Sequence, residues 1–289
     1  MRLDGERRRS GDTARISPLA AEREVIAGRY ELGKMIGRGG MAEVFAGRDR
    51  MLERIVAVKR PRRDIDADAA IGDRLRREAI ALAAIDSPHV VGVHDVGIAP
   101  GGVYLVMQRL FGRTLDTEIA HHGPLSPGRA CRIARDILAG LAAIHACGLV
   151  HRDLKAGNVL LDRNDRAVLL DLGAALHPRR RPLTAPGHVL GTPECLAPEQ
   201  LAAAPLDGRV DLFQLGLILI HLVTGTMAER AVDPAQLAAL AIPRTLREVI
   251  GQALAPADAR FATALDMRRA LDAALAGSTL EPIAAIPAR

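Results

Sequence analysis

A turn of Gly37-Arg38-Gly39-Gly40, continued by Met41-Ala42-Glu43-Val44, separates two short runs that read as strands. A strand-turn-strand of this kind can close over phosphates, because glycines let backbone N–H groups approach phosphate oxygens unobstructed. The same Gly-x-Gly pattern serves many hairpins for turn geometry alone, so it suggests a chemistry without deciding it. Lysine supplies a second clue by its scarcity. Lys34, Lys59 and Lys155 are the only lysines among 39 basic residues, leaving 36 arginines, and Asn158 and Asn164 are the only asparagines. An ammonium is a compact point charge that the planar guanidinium fork does not replace, so lysines kept in an arginine-rich chain mark candidate sites.

Composition removes several alternatives. The chain has 289 residues, 49% hydrophobic and 25% charged, enough for one large domain or two modest lobes. The net charge of +5 and the pI of about 9.6 are spread along the chain and form no focused basic stripe. Four Phe, two Tyr and no Trp make poor stacking platforms, so no nucleic-acid partner is expected. The three cysteines, Cys131, Cys147 and Cys195, form no Cys-x-x-Cys pair and fit a reduced compartment. The start of the chain has basic residues without an apolar stretch after them. The most apolar run, 212–223, is broken by Gln214 and His221 and is too short to span a bilayer. A cytoplasmic protein without a membrane partner is expected.

The elements that must position these residues fall into two textures. Residues 1–28 mix charges without periodicity and are expected to be a flexible extension, with a short helix near 20–26. Val- and Ile-rich runs predict three strands over 30–60, then a helix over 68–85 with an apolar period through Ile71, Leu75, Ala79 and Leu82. Two more strands are expected at 90–98 and 103–109, around the turn Pro100-Gly101-Gly102. After Phe111-Gly112 long helices take over. Ser126-Pro127 opens one that runs through Ile133, Ile137, Leu141 and Ile144 to a stop at Gly148. A strand-rich part joined to a helical part by a glycine-marked hinge predicts an α+β chain of two lobes with a cleft between them.

Four further segments carry a resemblance. Val56-Ala57-Val58-Lys59, His151-Arg152-Asp153-Leu154-Lys155-Ala156-Gly157-Asn158, Asp171-Leu172-Gly173 and Ala197-Pro198-Glu199 occur in the order of the protein-kinase motifs. Residues 30–276 resemble the protein-kinase family, and most of all its bacterial eukaryotic-like (Hanks-type) serine/threonine branch, whose Gly-Gly-Met turn they share. Both motif positions that need a lysine have one, and three lysines placed at random would do this on the order of once in ten thousand.

The resemblance implies the bilobal kinase fold, with an N-lobe at 29–110, a C-lobe at 111–276 and a tail at 277–289. It implies phosphoryl transfer from ATP with Mg²⁺ or Mn²⁺ onto serine or threonine of protein substrates. It also implies self-phosphorylation, with self-association as a transient dimer. Phosphoryl transfer is mostly positioning and charge neutralisation. Lys59 is expected to hold the α- and β-phosphates and Glu78 to pair with it. Asp171 and Asn158 are the expected metal ligands, Asp153 orients the acceptor hydroxyl, and Lys155 neutralises the γ-phosphoryl. The nucleotide is expected among Ile36, Gly37, Gly39, Gly40, Val44, Ala57, Met107 and Leu160, with its adenine bonded to the backbone of Gln108 and Leu110.

Structural roles are also implied. Arg260 pairs with Glu199, Asp211 ties down the catalytic loop, and Thr192 contacts Asp153 and Lys155. Arg152 awaits an anion from the activation segment, for which Thr184 is the expected phosphosite. Taken alone, Glu78 is a solvated helix charge, Arg260 a helix-start charge, Lys34 a surface residue and His151 a packed structural histidine. Ala42, Leu172 and Ala156 depart from the family's Gly, Phe and Pro. Between 225 and 260 the chain is short, so the helix that relatives use for docking partners is expected to be reduced or missing. The alternative function is a nucleotide-binding pseudokinase acting as a signalling scaffold.

Overall fold

The computed structural model describes residues 23–62, 69–100, 102–172, 195–202, 204–227 and 233–277. Six antiparallel strands build the first part: β1 (Val25–Ile26), β2 (Tyr30–Arg38), β3 (Ala42–Asp49), β4 (Arg54–Pro61), β5 (Val93–Ala99) and β6 (Gly102–Gln108). They lie in the order β1-β2-β3-β4-β6-β5, and one helix, α1 (Ala69–Ala83), packs against β4, β5 and β6. Strand alternation decides what each face does. Val56 and Val58 of β4 point to a cluster with Tyr30, Leu32, Tyr104 and Val106. Ala57 points the other way, into the main core with Leu75, Leu82, Leu105 and Met107. Two positions on from Ala57, Lys59 shares that face and meets α1.

The helical part begins with a small sheet in the order β7-β8-β9, made of β7 (Gly112–Thr114), β8 (Val159–Asp162) and β9 (Ala167–Leu169). Around it lie α2 (Leu115–His122), α3 (Pro127–Ala146), α4 (Pro198–Leu201), α5 (Arg209–Thr224), α6 (Pro234–Ala238), α7 (Arg244–Leu254) and α8 (Ala264–Gly277). Ser126 caps α3 by accepting from the Arg129 N–H, with Pro127 in the first turn. Gly148, at φ +70°, reverses the chain just after its end. Ala130, Ile133, Ile137, Leu141 and Ile144 are fully buried along one stripe of α3. Helix α5 is apolar almost all round and is enclosed by its neighbours. One continuous core runs from Ala57 and Leu75 to Met267 and Leu271, joining the two parts. The last helix, α8, packs on α3 and α7 and belongs to the same body.

Two expectations need correction. No helix ends at Ile26: Val25 and Ile26 form β1, paired with Glu31 and Tyr30, and Ile26 is buried. The sheet therefore starts inside the segment 1–28 that was expected to be a flexible extension. In addition, β5 starts at Val93, because Val90 instead forms an isolated parallel bridge with Leu169 in the helical part. Between Gly225 and Arg260 the described helices are the five-residue α6 and the eleven-residue α7.

Candidate active site

Lys59 projects from β4 towards α1, where Glu78 sits one face-repeat beyond Leu75. Lys59 Nζ lies 2.7 and 2.8 Å from the two Glu78 oxygens and 3.0 Å from Asp171 Oδ2. Lys59 and Glu78 are buried, whereas the Asp171 side chain is 40% exposed towards the cleft. Burial opposes the charge on Lys59, but the Asp171 and Glu78 carboxylates outweigh it and hold its ammonium above the ordinary lysine value. Burial raises the Glu78 carboxyl, Asp171 adds to the rise, and Lys59 works against it. One ammonium is thus shared between two carboxylates in poorly hydrated surroundings.

The loop 151–158 is held from beneath. Asp211, at the start of α5 and fully buried, accepts from the His151 N–H at 3.0 Å and the Arg152 N–H at 2.8 Å. His145 Nε2 is 2.7 Å from the same carboxylate. Arg152 adopts φ +68°, a conformation that costs a non-glycine residue on the order of 1–3 kcal/mol and is supported by those two bonds. The result presents Asp153 to the cleft, with Lys155 Nζ 3.1 Å and Asn158 Nδ2 3.2 Å from its Oδ2. Asn158 Nδ2 also donates to the Asp153 carbonyl at 2.8 Å, which leaves the amide oxygen as the atom it can offer a metal.

The remaining expected residues fall around this cleft. In the β3–β4 register Val44 is opposite Lys59, and in the β4–β6 register Ala57 is opposite Met107. The glycine turn is closed by Gly39 N–H donating to the Ala42 carbonyl at 2.8 Å, and Ile36 and Met41 are exposed beside it. Leu160, on β8, is buried and pairs with Thr114 just past the hinge. The Gln108 N–H donates to the Gly92 carbonyl at 2.8 Å. The Arg109 guanidinium donates to the Leu110 carbonyl.

Arg260 has no exposed side-chain area and grips both Glu199 oxygens, with Nη2–Oε2 at 3.1 Å and Nη1 on Oε1. Leu172 is buried. His151 is fully buried, and neither ring nitrogen has a partner among the described residues. Thr184 and Thr192 lie outside the described residues.

Sequence reasoning missed two glutamines. Gln214 Oε1 accepts from the Leu154 N–H at 3.0 Å while its Nε2 donates to the Arg152 carbonyl at 3.0 Å. Gln200 Nε2 donates to that same carbonyl at 2.9 Å, and its Oε1 accepts from the Ala197 N–H at 2.9 Å. Together they tie the Ala-Pro-Glu segment and α5 to the catalytic loop. The available signal was a polar residue, Gln214, interrupting the most apolar run of the chain.

With this geometry in place, residues 30–259 match the family model described as protein kinase domain. The chain belongs to the protein kinase family. The kinase domain is 39% identical over 207 residues to a probable serine/threonine-protein kinase of Corynebacterium efficiens, covering 70% of this chain and 31% of that protein. It is 35% identical over 264 residues to the serine/threonine-protein kinase PknE of Mycobacterium tuberculosis, covering 86% of this chain and 46% of that one. The chain thus spans less than half the length of these curated relatives. Among solved structures, the PknI kinase domain of Mycobacterium tuberculosis matches with a TM-score of 0.71 and 28% identity, over 88% of this chain and 99% of that one. The fold is therefore the bilobal α+β kinase fold. Among the described residues, no helix is long and apolar enough to cross a membrane.

Proposed function

We propose that the chain is an active serine/threonine protein kinase that transfers the γ-phosphoryl of ATP to hydroxyls of protein substrates and of its own chain. One observation carries this reading above the others. Lys59, Glu78 and Asp171 are joined at 2.7–3.0 Å across the cleft, and Asp153 and Lys155 are paired at 3.1 Å on the catalytic loop. Lys59 holds the α- and β-phosphates once Glu78 has fixed its position. Asp153 orients and accepts the proton of the attacking hydroxyl, and Lys155 balances the charge that builds on the transferring group. The relatives, named as serine/threonine-protein kinases, support serine and threonine as acceptors.

The donor set suits Mg²⁺, or Mn²⁺ in its place. A carboxylate from Asp171 and an amide oxygen from Asn158 are hard ligands. Among the described residues no cluster of three or more His, Cys, Asp or Glu stands ready to cage an ion. That fits Mg²⁺, which ordinarily takes one or two protein ligands together with substrate phosphates and water. When bound, the ion neutralises phosphate charge.

We extend the reading to control of the site. Arg152 is 8% exposed, burial pulls its pKa down against Asp211, and its Nε finds no acceptor among the described residues. A phosphate on Thr184, carrying about −1.5 to −2 charges, would supply the missing anion. Phosphorylation by a second copy in a transient dimer, cytoplasmic action, and the absence of nucleic-acid and membrane partners complete the proposal. The test is phosphate incorporation from labelled ATP and Mg²⁺ into a generic protein substrate, comparing wild type with Lys59→Met. Incorporation that is nearly abolished in the variant supports the reading. Nucleotide binding without any incorporation in wild type replaces it with the scaffold alternative.

A further inference from the structure

A cavity of about 140 Å³ opens beside the catalytic loop. Among the described residues, Leu217 and Ile218 of α5 form one side of it, and Ala156 and Gly157 of the catalytic loop another. Cys195 and Met227 also line it, Met227 being half-exposed at 51% and so placed at a rim. The space exists because three small residues, Ala156, Gly157 and Cys195, meet there from two separate segments. Lys155 also lines the cavity, and its ammonium lies 3.1 Å from Asp153 Oδ2. A single residue therefore borders both the cavity and the carboxylate assigned above to the acceptor hydroxyl.

The size excludes most ligands. Sites for drug-sized molecules measure about 300–1,000 Å³, whereas a cavity of about 150 Å³ with apolar walls holds one benzene ring. The chemistry narrows it further, because the charged groups at the edge already have partners. Lys155 faces Asp153. Asp116 Oδ1 accepts from the Thr117 N–H at 2.7 Å and from the Thr114 hydroxyl. His221 is half-buried on α5, and burial draws its pKa below the ordinary histidine value against the pull of Asp116. What remains is a mostly apolar, side-chain-sized recess, walled by Leu217, Ile218, Ala156, Cys195 and Met227, with hydrogen-bonded Asp116 and ion-paired Lys155 at its edge.

We propose that this cavity receives the apolar side chain, of leucine, methionine or phenylalanine size, that stands two positions from the acceptor hydroxyl in an extended substrate polypeptide. Two positions is the spacing at which an extended chain presents side chains to the same face, about 6.5–7 Å apart. The inference rests on the protein-phosphorylating reading above and names a sequence preference for it.

The experiment uses the full chain with Mg·ATP and a peptide library carrying one fixed threonine and randomised flanks. A generic protein substrate is run alongside. The expected profile favours Leu, Met or Phe over Ala and over charged residues at one position two residues from the threonine, by about 10–100-fold in kcat/KM. Ile218→Phe, which fills the cavity, draws the Leu-to-Ala ratio towards one. Met227→Ala, which opens the rim, shifts the preference to larger rings. Because each readout is a ratio within one enzyme, partial loss of folded protein does not alter it. Should Ile218→Phe not fold, the wild-type profile and Met227→Ala decide. Incorporation with a flat profile, or with a charged preference at that position, overturns the cavity's role and leaves the kinase reading standing. A wild-type ratio in folded Ile218→Phe does the same. No incorporation into any substrate overturns both.

Discussion

Arg260→Met is a sharp test of how the catalytic region is held. The substitution keeps an unbranched apolar stem and removes a guanidinium that is fully buried. Four acceptors lose a donor: both Glu199 oxygens, the Ala255 carbonyl at 2.7 Å and the Arg209 carbonyl at 3.3 Å. The stacking of Arg260 over Phe213, at 4.7 Å from the ring centroid, is lost as well. The Glu199 side chain, only 14% exposed, is left as a carboxylate stripped of its ion-pair partner. Removing one member of such a buried pair costs about 3–5 kcal/mol. At about 2–4 °C per kcal/mol for a domain of this size, Tm should fall by about 6–20 °C.

Thermal unfolding by circular dichroism measures the shift, and a cycle with Glu199→Gln isolates the pair. The substituted amide carries no charge to strand, so the double variant should recover part of the loss. The coupling energy should be about 2–3 kcal/mol. Activity should fall with stability, because α4, anchored by Glu199, reaches the catalytic loop through the bond from Gln200 to the Arg152 carbonyl. A Tm within about 2 °C of wild type, or additivity within about 0.5 kcal/mol, would refute the reasoning.

Three other predictions rest on particular contacts. Deleting residues 1–28 removes Ile26 from its core and the Glu24 carbonyl that accepts from the Leu32 N–H at 2.7 Å. Compared with deletion of 1–22, it should cost a further 2–3 kcal/mol or so, read as a Tm lower by about 4–12 °C; equal melting of the two truncations would argue that β1 contributes nothing. Gly112→Ala would set a Cβ 1.8 Å from the Leu161 carbonyl oxygen and 2.9 Å from the Leu160 side chain. Neither strand can yield without breaking the β7–β8 register, so KM for ATP should rise and stability fall by about 1–3 kcal/mol, and unchanged ATP kinetics would detach Leu160 from the nucleotide. Thr184→Ala should prevent the activation that follows preincubation with ATP, measured on peptide substrate with phosphosites mapped by mass spectrometry; full activity, or phosphate found only elsewhere, would end that proposal.

The sequence carried the site more fully than it carried the supports beneath the site. Lys59, Asp153, Lys155, Asn158 and Asp171 stood in short contiguous motifs, and the lysine and asparagine bias made three of them conspicuous. Glu78 was different, since a glutamate after two arginines on a helix is ordinary, and only resemblance selected it. The long elements α3 and α5 announced themselves through caps, period and apolar runs. Strand β1 did not, because two residues are too few to show alternation and Ala-Glu-Arg-Glu before them favours a helix. The bonds of Gln200 and Gln214 to the catalytic loop, and of His145 to the Asp211 that supports that loop, join residues far apart in the chain, and no local pattern encodes such partners. The cavity beside Lys155 was also invisible, since it arises where small residues from separate segments happen to meet.

The most direct measurement is steady-state turnover of a generic protein substrate by Asp153→Asn, with ATP affinity determined on the same preparation. Asparagine keeps the shape and the loop geometry and removes the proton acceptor. The account predicts ATP binding close to wild type and a kcat lower by about 10²–10⁴-fold. Turnover near wild type in a variant that binds ATP normally would contradict it.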